Sequence, residues 1–204
     1  MEITRIRMLR GPNLWSRHTA LEAIVSCDET ERSIDSIPQF EIKIRERFPQ
    51  LGSMRRGGHN ETLSLAHALE HAALGLQSQA GCPVTFSRTV QTIDVGVYQV
   101  VVEYTEEVVG RMAFDFAFGL IQATLNDVPF DLAAALSELE ALYEDVRLGP
   151  STGSIVDAAV QRNIPYRRMT EGSMVQFGWG SKQKRIQAAE TSDTSAIAEA
   201  IAQD

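Results

Sequence analysis

Residues 61–79 read ETLSLAHALEHAALGLQSQ and form the clearest helical pattern of the chain. The apolar positions that recur at helical spacing are Leu65, Leu69, Ala72 and Leu76. Side chains at this spacing lie on one face of an α-helix and form a continuous apolar stripe. Gly81 and Pro83 follow closely, and both residue types end helices. The sequence therefore predicts a helix with one face packed in a core.

Strands and further helices are predicted on both sides of this helix. The β-rich runs are residues 2–9, 21–27, 84–89 and 97–104. Turn residues between the last two runs predict a hairpin. The other helical patterns are residues 39–48, 106–125 and 132–146. Together these elements predict an α+β fold. Its N-terminal mixed α/β domain covers residues 1–150, and the helix of residues 61–79 packs on a β-sheet.

A second unit is predicted from residue 151 to residue 204. Its expected elements are a helix at 155–162, strands at 164–169, 174–178 and 185–189, and the start of a helix at 194–202. Roughly 55 residues are too few to close a sheet and core of their own. We therefore interpret this segment as the first piece of a larger domain.

Composition excludes several classes of protein. The 204 residues carry 19 Lys and Arg against 27 Asp and Glu, and the net charge of −8 argues against a general nucleic-acid binder. No apolar run approaches about 18 residues, so no membrane span is predicted. No signal peptide is recognisable either, and a cytoplasmic protein is expected. Cys27 and Cys82 are too few for a disulfide framework or a four-thiolate zinc site.

The predicted helix contains HALEH at residues 67–71, which is the H-x-x-E-H pattern of inverted zinc proteases. At about 100° per residue, His67 and His71 lie about 40° apart, and Glu70 lies about 60° from His67. All three side chains therefore project from one face. Two imidazoles at this spacing can bind one zinc ion, and Glu70 is then placed to act as general base toward water. The alternative is that both histidines are surface or hydrogen-bonded residues of an amphipathic helix.

A catalytic zinc site needs a third protein ligand and an open position. Glu107 is the preferred candidate, because the start of a helix holds a carboxylate rigidly. Glu103, at the end of the preceding strand, is the second candidate, and Glu138 and Glu140 are more remote ones. The alternative for Glu103 and Glu107 is an exposed acidic helix N-terminus, which the helix dipole favours.

Several segments resemble cyanophycin synthetases, and they keep their order along nearly the whole chain. They are RGPNLWS at 10–16, HALEHAALGLQ at 67–77, GVYQVVVEY at 96–104, LGPST at 148–152, the Ile164-Pro165 step, SMVQFGWGSKQKRIQAAET at 173–191 and TSAIAEAIAQD at 194–204. Gly75 departs from this family, which often has Glu there, and so does the loop of residues 61–64.

The resemblance implies a ligase that uses ATP to polymerise L-aspartate and L-arginine into multi-L-arginyl-poly-L-aspartate. Such enzymes join an N-terminal domain, an ATP-grasp domain and a Mur-ligase-like domain, and they are typically homo-oligomers. By resemblance, residues 1–150 are the N-terminal domain and residues 151–204 begin the ATP-grasp domain. ATP and Mg²⁺ would bind in the parts that follow, which would be partners of this region. The chain alone is not expected to ligate amino acids.

In some members of the family, the N-terminal domain is also a metal-dependent hydrolase that cuts the polymer into primers. Its H-x-x-E-H motif is matched in place by His67, Glu70 and His71, which implies Zn²⁺ as cofactor. Each polymer repeat carries a guanidinium and a carboxylate, and Arg55, Arg56 or Arg88 can bind the carboxylates bidentately. The alternative is a polymer-binding and assembly module that contains no metal site.

Overall fold

The computed structural model describes residues 1–51, 54, 62–188, 190–191 and 193. Arg55, Arg56 and the helix predicted at 194–202 lie outside these residues. The described helices are α1 (Phe40–Arg47), α2 (Leu65–Gln79), α3 (Glu107–Leu125), α4 (Leu132–Val146) and α5 (Pro150–Gln161). The described strands are β1 (Glu2–Leu9), β2 (Ala20–Ser26), β3 (Ser87–Gln91), β4 (Val97–Glu103), β5 (Tyr166–Arg168), β6 (Val175–Phe177), β7 (Lys184–Gln187) and β8 (Glu190–Thr191). The predicted α+β class is confirmed.

The first sheet has the strand order β1-β2-β4-β3 and is antiparallel throughout. The predicted hairpin is the β3-β4 pair, in which Ser87 lies opposite Val102 and Gln91 lies opposite Tyr98. Strand β1 has the predicted limits. Strand β2 begins and ends one residue earlier than expected.

One face of this sheet forms the core together with α2 and α3. Side chains alternate between the two faces of a strand, so β2 and β4 each direct every second residue to the helices. The core-facing residues of β2 and β4 are Leu21, Ala23, Val25, Tyr98, Val100 and Val102, and each is at most 5% exposed. The predicted apolar stripe of α2, from Leu65 to Leu76, is fully buried against them. The hydrophobic pattern thus identified the core face of the helix.

Helix α2 begins four residues later than predicted. Residues 62–64 are not helical, and Ser64 has the extended backbone (φ −93°, ψ 172°) of a residue that precedes a helix. Serine is favoured at this position because its hydroxyl can satisfy a free amide of the first turn. The local preference of Ser64 therefore outweighs the helical pattern upstream.

Helix α2 runs along β4 in the same direction as the strand. Near the start of both elements, the ring of His67 packs edge-on against the ring of Tyr98, with centroids 5.8 Å apart. Near their ends, Gln77 Nε2 donates a hydrogen bond of 2.9 Å to the carbonyl of Glu103. The first turns of α2 therefore lie over the start of β4, and this arrangement positions the candidate site.

Helix α3 is the central helix of the core. Its length of 19 residues and mean hydropathy of 1.3 would suffice to cross a membrane, but half of it is buried within the protein. The fully buried side chains on α3 include Val109, Phe114, Leu120 and Ile121. This burial is typical of the core helix of a folded domain.

The second sheet contains the three strands expected at 164–169, 174–178 and 185–189, and the interpretation of residues 151–204 as the first piece of a larger domain stays a prediction. Strands β5 to β8 form their own antiparallel sheet in chain order. Its small core consists of the buried residues Val156, Val175 and Ile186, with Leu148, Val160, Tyr166 and Phe177 packed around them. Helix α5 also begins five residues earlier than predicted, because Pro150 fits the first turn of a helix. The assignment of this unit to an ATP-grasp domain stays a prediction.

Candidate functional site

The H-x-x-E-H residues line one large cavity at the start of β4. His67, Glu70 and His71 contribute to its wall, and the cavity has a volume of about 840 Å³. The other described lining residues are Arg32, Met54, Thr62, Leu63, Arg88, Thr89, Val90, Gln91, Val95 and Tyr98. The three motif side chains therefore share one space, as their helical spacing predicts. Volumes of this size are typical of small-molecule sites.

The three motif residues differ in burial. Glu70 is only 2% exposed, whereas His67 and His71 are partly exposed. The imidazoles are thus the more accessible groups in the cavity, and the carboxylate lies deeper in its wall.

Ser64 contacts His67 in a way that bears on metal binding. The Nδ1 atom of His67 lies 2.9 Å from Ser64 Oγ and 3.2 Å from the backbone nitrogen of Ser64. If Nδ1 carries a proton, it donates to Ser64 Oγ and leaves Nε2 available for a metal, as metal-binding histidines usually require. If Nδ1 is unprotonated, it accepts the amide proton of Ser64, and a neutral ring then has its proton on Nε2. The two contacts therefore favour opposite tautomers.

The structure does not bring Glu107 and Glu103 to the histidines. Tyr98 lines the cavity at the start of β4, and Glu103 ends this strand, about 17 Å further along at about 3.3 Å per residue. Both glutamates therefore lie near the far end of α2, about 15 Å from His67 at 1.5 Å per residue. Neither residue lines the cavity. The expectation of a third ligand rested on the rigid start of α3 and the end of β4, and the sequence does not show how far these lie from His67.

Both glutamates have other partners. Glu103 is 6% exposed, and its Oε2 atom accepts hydrogen bonds of 2.8 Å from the amides of Thr85 and Phe86. Glu107 binds Arg10 through two hydrogen bonds of 2.6 and 2.9 Å, and this pairing lowers the pKa of its carboxyl. Glu103 thus anchors the chain that enters β3, and Glu107 belongs to an exposed ion pair.

The remote candidates do not complete the site either. Glu107 and Glu138 line a different groove of about 560 Å³, which also contains Met8, Met112 and Phe116. Glu140 is exposed on α4. Among the described residues, no group of three or more His, Cys, Asp or Glu side chains is arranged to hold a metal ion. In this part of the chain His67, Glu70 and His71 are therefore not arranged as a set of three metal ligands.

Two arginines border the cavity. Arg88 was expected from the sequence to bind substrate carboxylates, and it lies at the rim of the cavity on the edge strand β3, opposite Val101 and therefore on the sheet face away from α2. Arg32 was not expected, since it lies in an irregular segment between two short 3-10 turns (Glu29–Glu31 and Ile34–Ser36). No spacing or motif marks Arg32 in the sequence. The tertiary structure alone places it beside the motif.

These features define an α+β domain in which an H-x-x-E-H helix packs on an antiparallel sheet beside a basic cavity. Residues 23–126 match the family model of the cyanophycin synthase-like N-terminal domain. The chain belongs to this family. The match begins within β2, ends after α3, and includes α2, β3 and β4, which line the cavity.

Curated relatives agree with this family. The chain is 35% identical over 219 residues to the cyanophycin synthetase of Trichormus variabilis, an alignment that covers 100% of the chain and 24% of that protein. It is 36% identical over 203 residues to the cyanophycin synthetase of Crocosphaera subtropica, covering 92% of the chain and 23% of the relative. The enzyme of Synechocystis is 34% identical over 223 residues, with coverages of 100% and 25%. The chain thus spans about a quarter of the length of these relatives.

Proposed function

We propose that this chain is the N-terminal region of a cyanophycin synthetase, the ATP-dependent ligase that makes multi-L-arginyl-poly-L-aspartate. In this proposal the region binds the polymer and hydrolyses its amide bonds with the help of zinc, which produces primers. The further ligase domains and a homo-oligomeric assembly complete the enzyme. The observation that carries the proposal is the cavity in which His67, Glu70 and His71 lie together with Arg32 and Arg88.

The donor set suits a zinc ion in part. His67 and His71 supply two imidazoles from successive turns of one helix, and Ser64 Oγ can accept the Nδ1 proton of His67. A bound zinc ion would acidify a water molecule and polarise the carbonyl of the amide to be cleaved. Glu103 and Glu107 do not complete this donor set, since both are held elsewhere by their own partners.

Glu70 would act as the general base in this site. It lies on the same helix face as the histidines, and it is buried enough to be shielded from bulk water. Its carboxylate would take a proton from the attacking water and pass it to the amine that leaves. Arg32 and Arg88 would bind carboxylates of the polymer, so that its amide bonds lie over the motif.

One observation favours a second function, a polymer-binding or assembly module without metal. The backbone amide of Ser64 is directed at Nδ1 of His67. If this hydrogen bond forms, His67 serves to satisfy a free amide at the start of α2, and its Nε2 carries the proton. The cavity would then bind polymer through its arginines and would not cleave it.

Metal content separates the two functions. The purified chain is loaded with zinc, dialysed and analysed by inductively coupled plasma mass spectrometry. We expect about one zinc ion per chain, because the two imidazoles belong to one site. His67→Ala should lose the metal, and Glu140→Gln, a change on the exposed face of α4, should keep it. A chain that retains no zinc would support the assembly module instead.

Hydrolysis is tested with Glu70→Gln. This variant keeps the shape of the side chain and both imidazoles, so it should still bind zinc. Its release of short fragments from purified polymer should fall by about 10²- to 10⁴-fold, the usual effect of removing a general base. Chromatography of the fragments gives the rate. Equal rates for wild type and Glu70→Gln would eliminate the hydrolase function.

A further inference from the structure

Arg32 contacts the backbone of the cavity wall beside the end of β2 and the start of β4. Its Nε atom donates to the carbonyl of Cys27 at 3.4 Å, directly after β2. The amide of Cys27 in turn donates to the carbonyl of Gly96 at 2.8 Å, directly before β4. The guanidinium therefore lies where β2 and β4 begin to separate, and its position depends on the backbone of this corner.

Gly96 provides the space for this guanidinium. A Cβ atom at position 96 would lie 2.6 Å from Nε and 2.9 Å from Nη2 of Arg32, and 2.7 Å from the carbonyl oxygen of Cys27. Real Cβ atoms do not approach other atoms so closely, so any side chain here would displace the arginine. The positive φ of Gly96 (82°) also favours glycine. The corner is thus shaped so that a guanidinium fits against it.

Arg32 has no acidic partner among the described residues. No carboxylate in this part of the chain lies within 4.0 Å of its guanidinium, whereas Arg7, Arg10, Arg45, Arg47, Arg111, Arg147 and Arg168 all form ion pairs. Arg32 is also partly buried and faces the cavity that contains the motif. A guanidinium that faces a cavity and has no counter-ion in the described part of the chain is suited to bind the carboxylate of a ligand.

We infer that Arg32 is a substrate-binding residue that recognises the free α-carboxylate of an arginine attached to the polymer. This inference rests on the proposed function, because it places the polymer in the cavity. In this inference, Arg32 alone makes the cavity prefer a polymer whose arginines end in a free carboxylate over one whose arginines end in a carboxamide. Arg88, on the more exposed edge strand, would contribute a less specific charge.

Binding of two synthetic ligands tests this assignment. One is a trimer of the polymer repeat with free arginine carboxylates, and the other is the same trimer with arginine carboxamides. Both are titrated calorimetrically into the full chain with Glu70→Gln, so that no ligand is consumed. The acid should bind about tenfold more tightly than the amide, since a bidentate charge-assisted pair is lost in the amide.

Arg32→Gln should abolish this preference by weakening the binding of the acid only. Arg32→Lys should restore part of it, because lysine keeps the charge but lacks the planar fork. Arg45→Gln is the matched control, since Arg45 lies on α1 and pairs with Glu41 outside the cavity. Circular dichroism checks that every variant is folded.

The outcomes distinguish the two proposals. If the acid is preferred and Arg32→Gln keeps the preference, the role of Arg32 is wrong and polymer binding stands. Equal binding of both trimers to the chain with Arg32 intact also overturns the assignment. If the chain binds neither trimer, the cavity is not a polymer site, and both proposals fail.

Discussion

Glu22 shows at the scale of a single residue how the first sheet accommodates a buried charge. Its side chain is 3% exposed, on the sheet face opposite the helices. One carboxylate oxygen binds the guanidinium of Arg7, and the other accepts hydrogen bonds from Trp15 at 3.3 Å and Gln99 at 2.8 Å. A buried carboxylate is tolerated when each oxygen has a partner. Trp15 thereby ties the loop after β1 to the sheet.

The two cysteines are predicted to be unreactive in the folded protein. Burial is the main cause that raises the pKa of both Cys27 and Cys82 from 9.0 to about 11. The thiolate is the reactive form, so at pH 8 the native thiols should react with Ellman's reagent at least about 100-fold more slowly than in urea. Equal rates in native and unfolded protein would contradict this burial.

The same shifts predict how stability depends on alkaline pH. The folded pKa of each thiol is raised, so the native state keeps its protons while the unfolded chain loses them above pH 9.0. Their contribution to stability is therefore complete below pH 9 and decreases as the pH rises toward 11. Between pH 9 and pH 11, the free energy of unfolding measured with urea should decrease less in the double variant Cys27→Ala/Cys82→Ala than in wild type.

At the scale of helices and strands, glycines determine how closely the helices pack against their neighbours. A Cβ atom at Gly75 in α2 would lie 3.2 Å from two ring carbons of the buried Phe48. A glycine inside a helix costs about 1 kcal/mol relative to alanine, and here it permits close packing of α2 on Phe48. The departure of Gly75 from the family pattern is thus a packing feature, one helical turn after His71.

Gly110 is predicted to be necessary for the packing of α3. A Cβ atom at this position would lie 2.5 Å from Cβ of Tyr104, the residue after β4. Gly110→Ala should lower the free energy of unfolding by about 1–3 kcal/mol, because overpacking outweighs the better helix propensity of alanine. Urea unfolding followed by circular dichroism measures the change.

Gly119 in the same helix is the matched control. Among the described residues, a Cβ atom there would contact Phe130 alone, at an ordinary distance of 3.6 Å. Gly119→Ala should therefore stabilise the protein by up to about 1 kcal/mol through helix propensity. Similar effects of the two substitutions would mean that α3 does not approach Tyr104 as closely as described.

At the scale of the whole molecule, a small number of polar contacts joins the second sheet to the first unit. Arg168 on β5 donates hydrogen bonds of 2.6 Å both to Glu106 and to the carbonyl of Val146. Arg17 donates to Asn163 at 2.7 Å, and Gly11 lies against the ring of Trp179. Burial is the main cause that raises the pKa of Glu106, and Arg168 counteracts this shift. Arg168 therefore offsets part of the cost of burying the Glu106 carboxylate between the two units.

Arg168→Ala is predicted to loosen this connection. The substitution would leave the Glu106 carboxylate, whose side chain is 13% exposed, without a cation. Leaving one buried charge unpaired destabilises a protein more than removing both charges does. Hydrogen exchange of residues 150–188, followed by mass spectrometry, should accelerate in Arg168→Ala and recover in part in Glu106→Gln/Arg168→Ala. Arg162→Ala, at an exposed residue just after α5, is the control and should exchange like wild type.

The effect of Arg168→Ala on hydrogen exchange should depend on pH, because it involves the carboxyl group of Glu106. A carboxyl group with a raised folded pKa favours the native state when it is protonated, so its penalty is present at neutral pH and disappears toward the ordinary value of 4.5. The difference in exchange between Arg168→Ala and wild type should therefore decrease as the pH falls from 7 to 5. A constant difference would show that Glu106 is not the cause.

The helix face that bears the motif was predictable from the sequence, whereas the surroundings of that face were not. Helical spacing correctly indicated that Leu65, Leu69 and Leu76 face the core, and the three motif residues share one cavity as expected. The start of α2 was misplaced, because the capping preference of Ser64 is a local effect that periodicity does not describe.

Spacing along the chain determines the direction in which a side chain leaves its own helix or strand. For this protein, spacing determined the α+β class and the helix face from which the motif residues project. Distances between elements depend on how helices and strands pack, and these only the tertiary structure decided. It placed Glu103 and Glu107 at the far end of β4 and brought Arg32 from an irregular segment into the cavity. The physical reason is that a strand advances more than 3 Å per residue, so residues close in sequence separate widely, while packing joins residues that no local pattern connects.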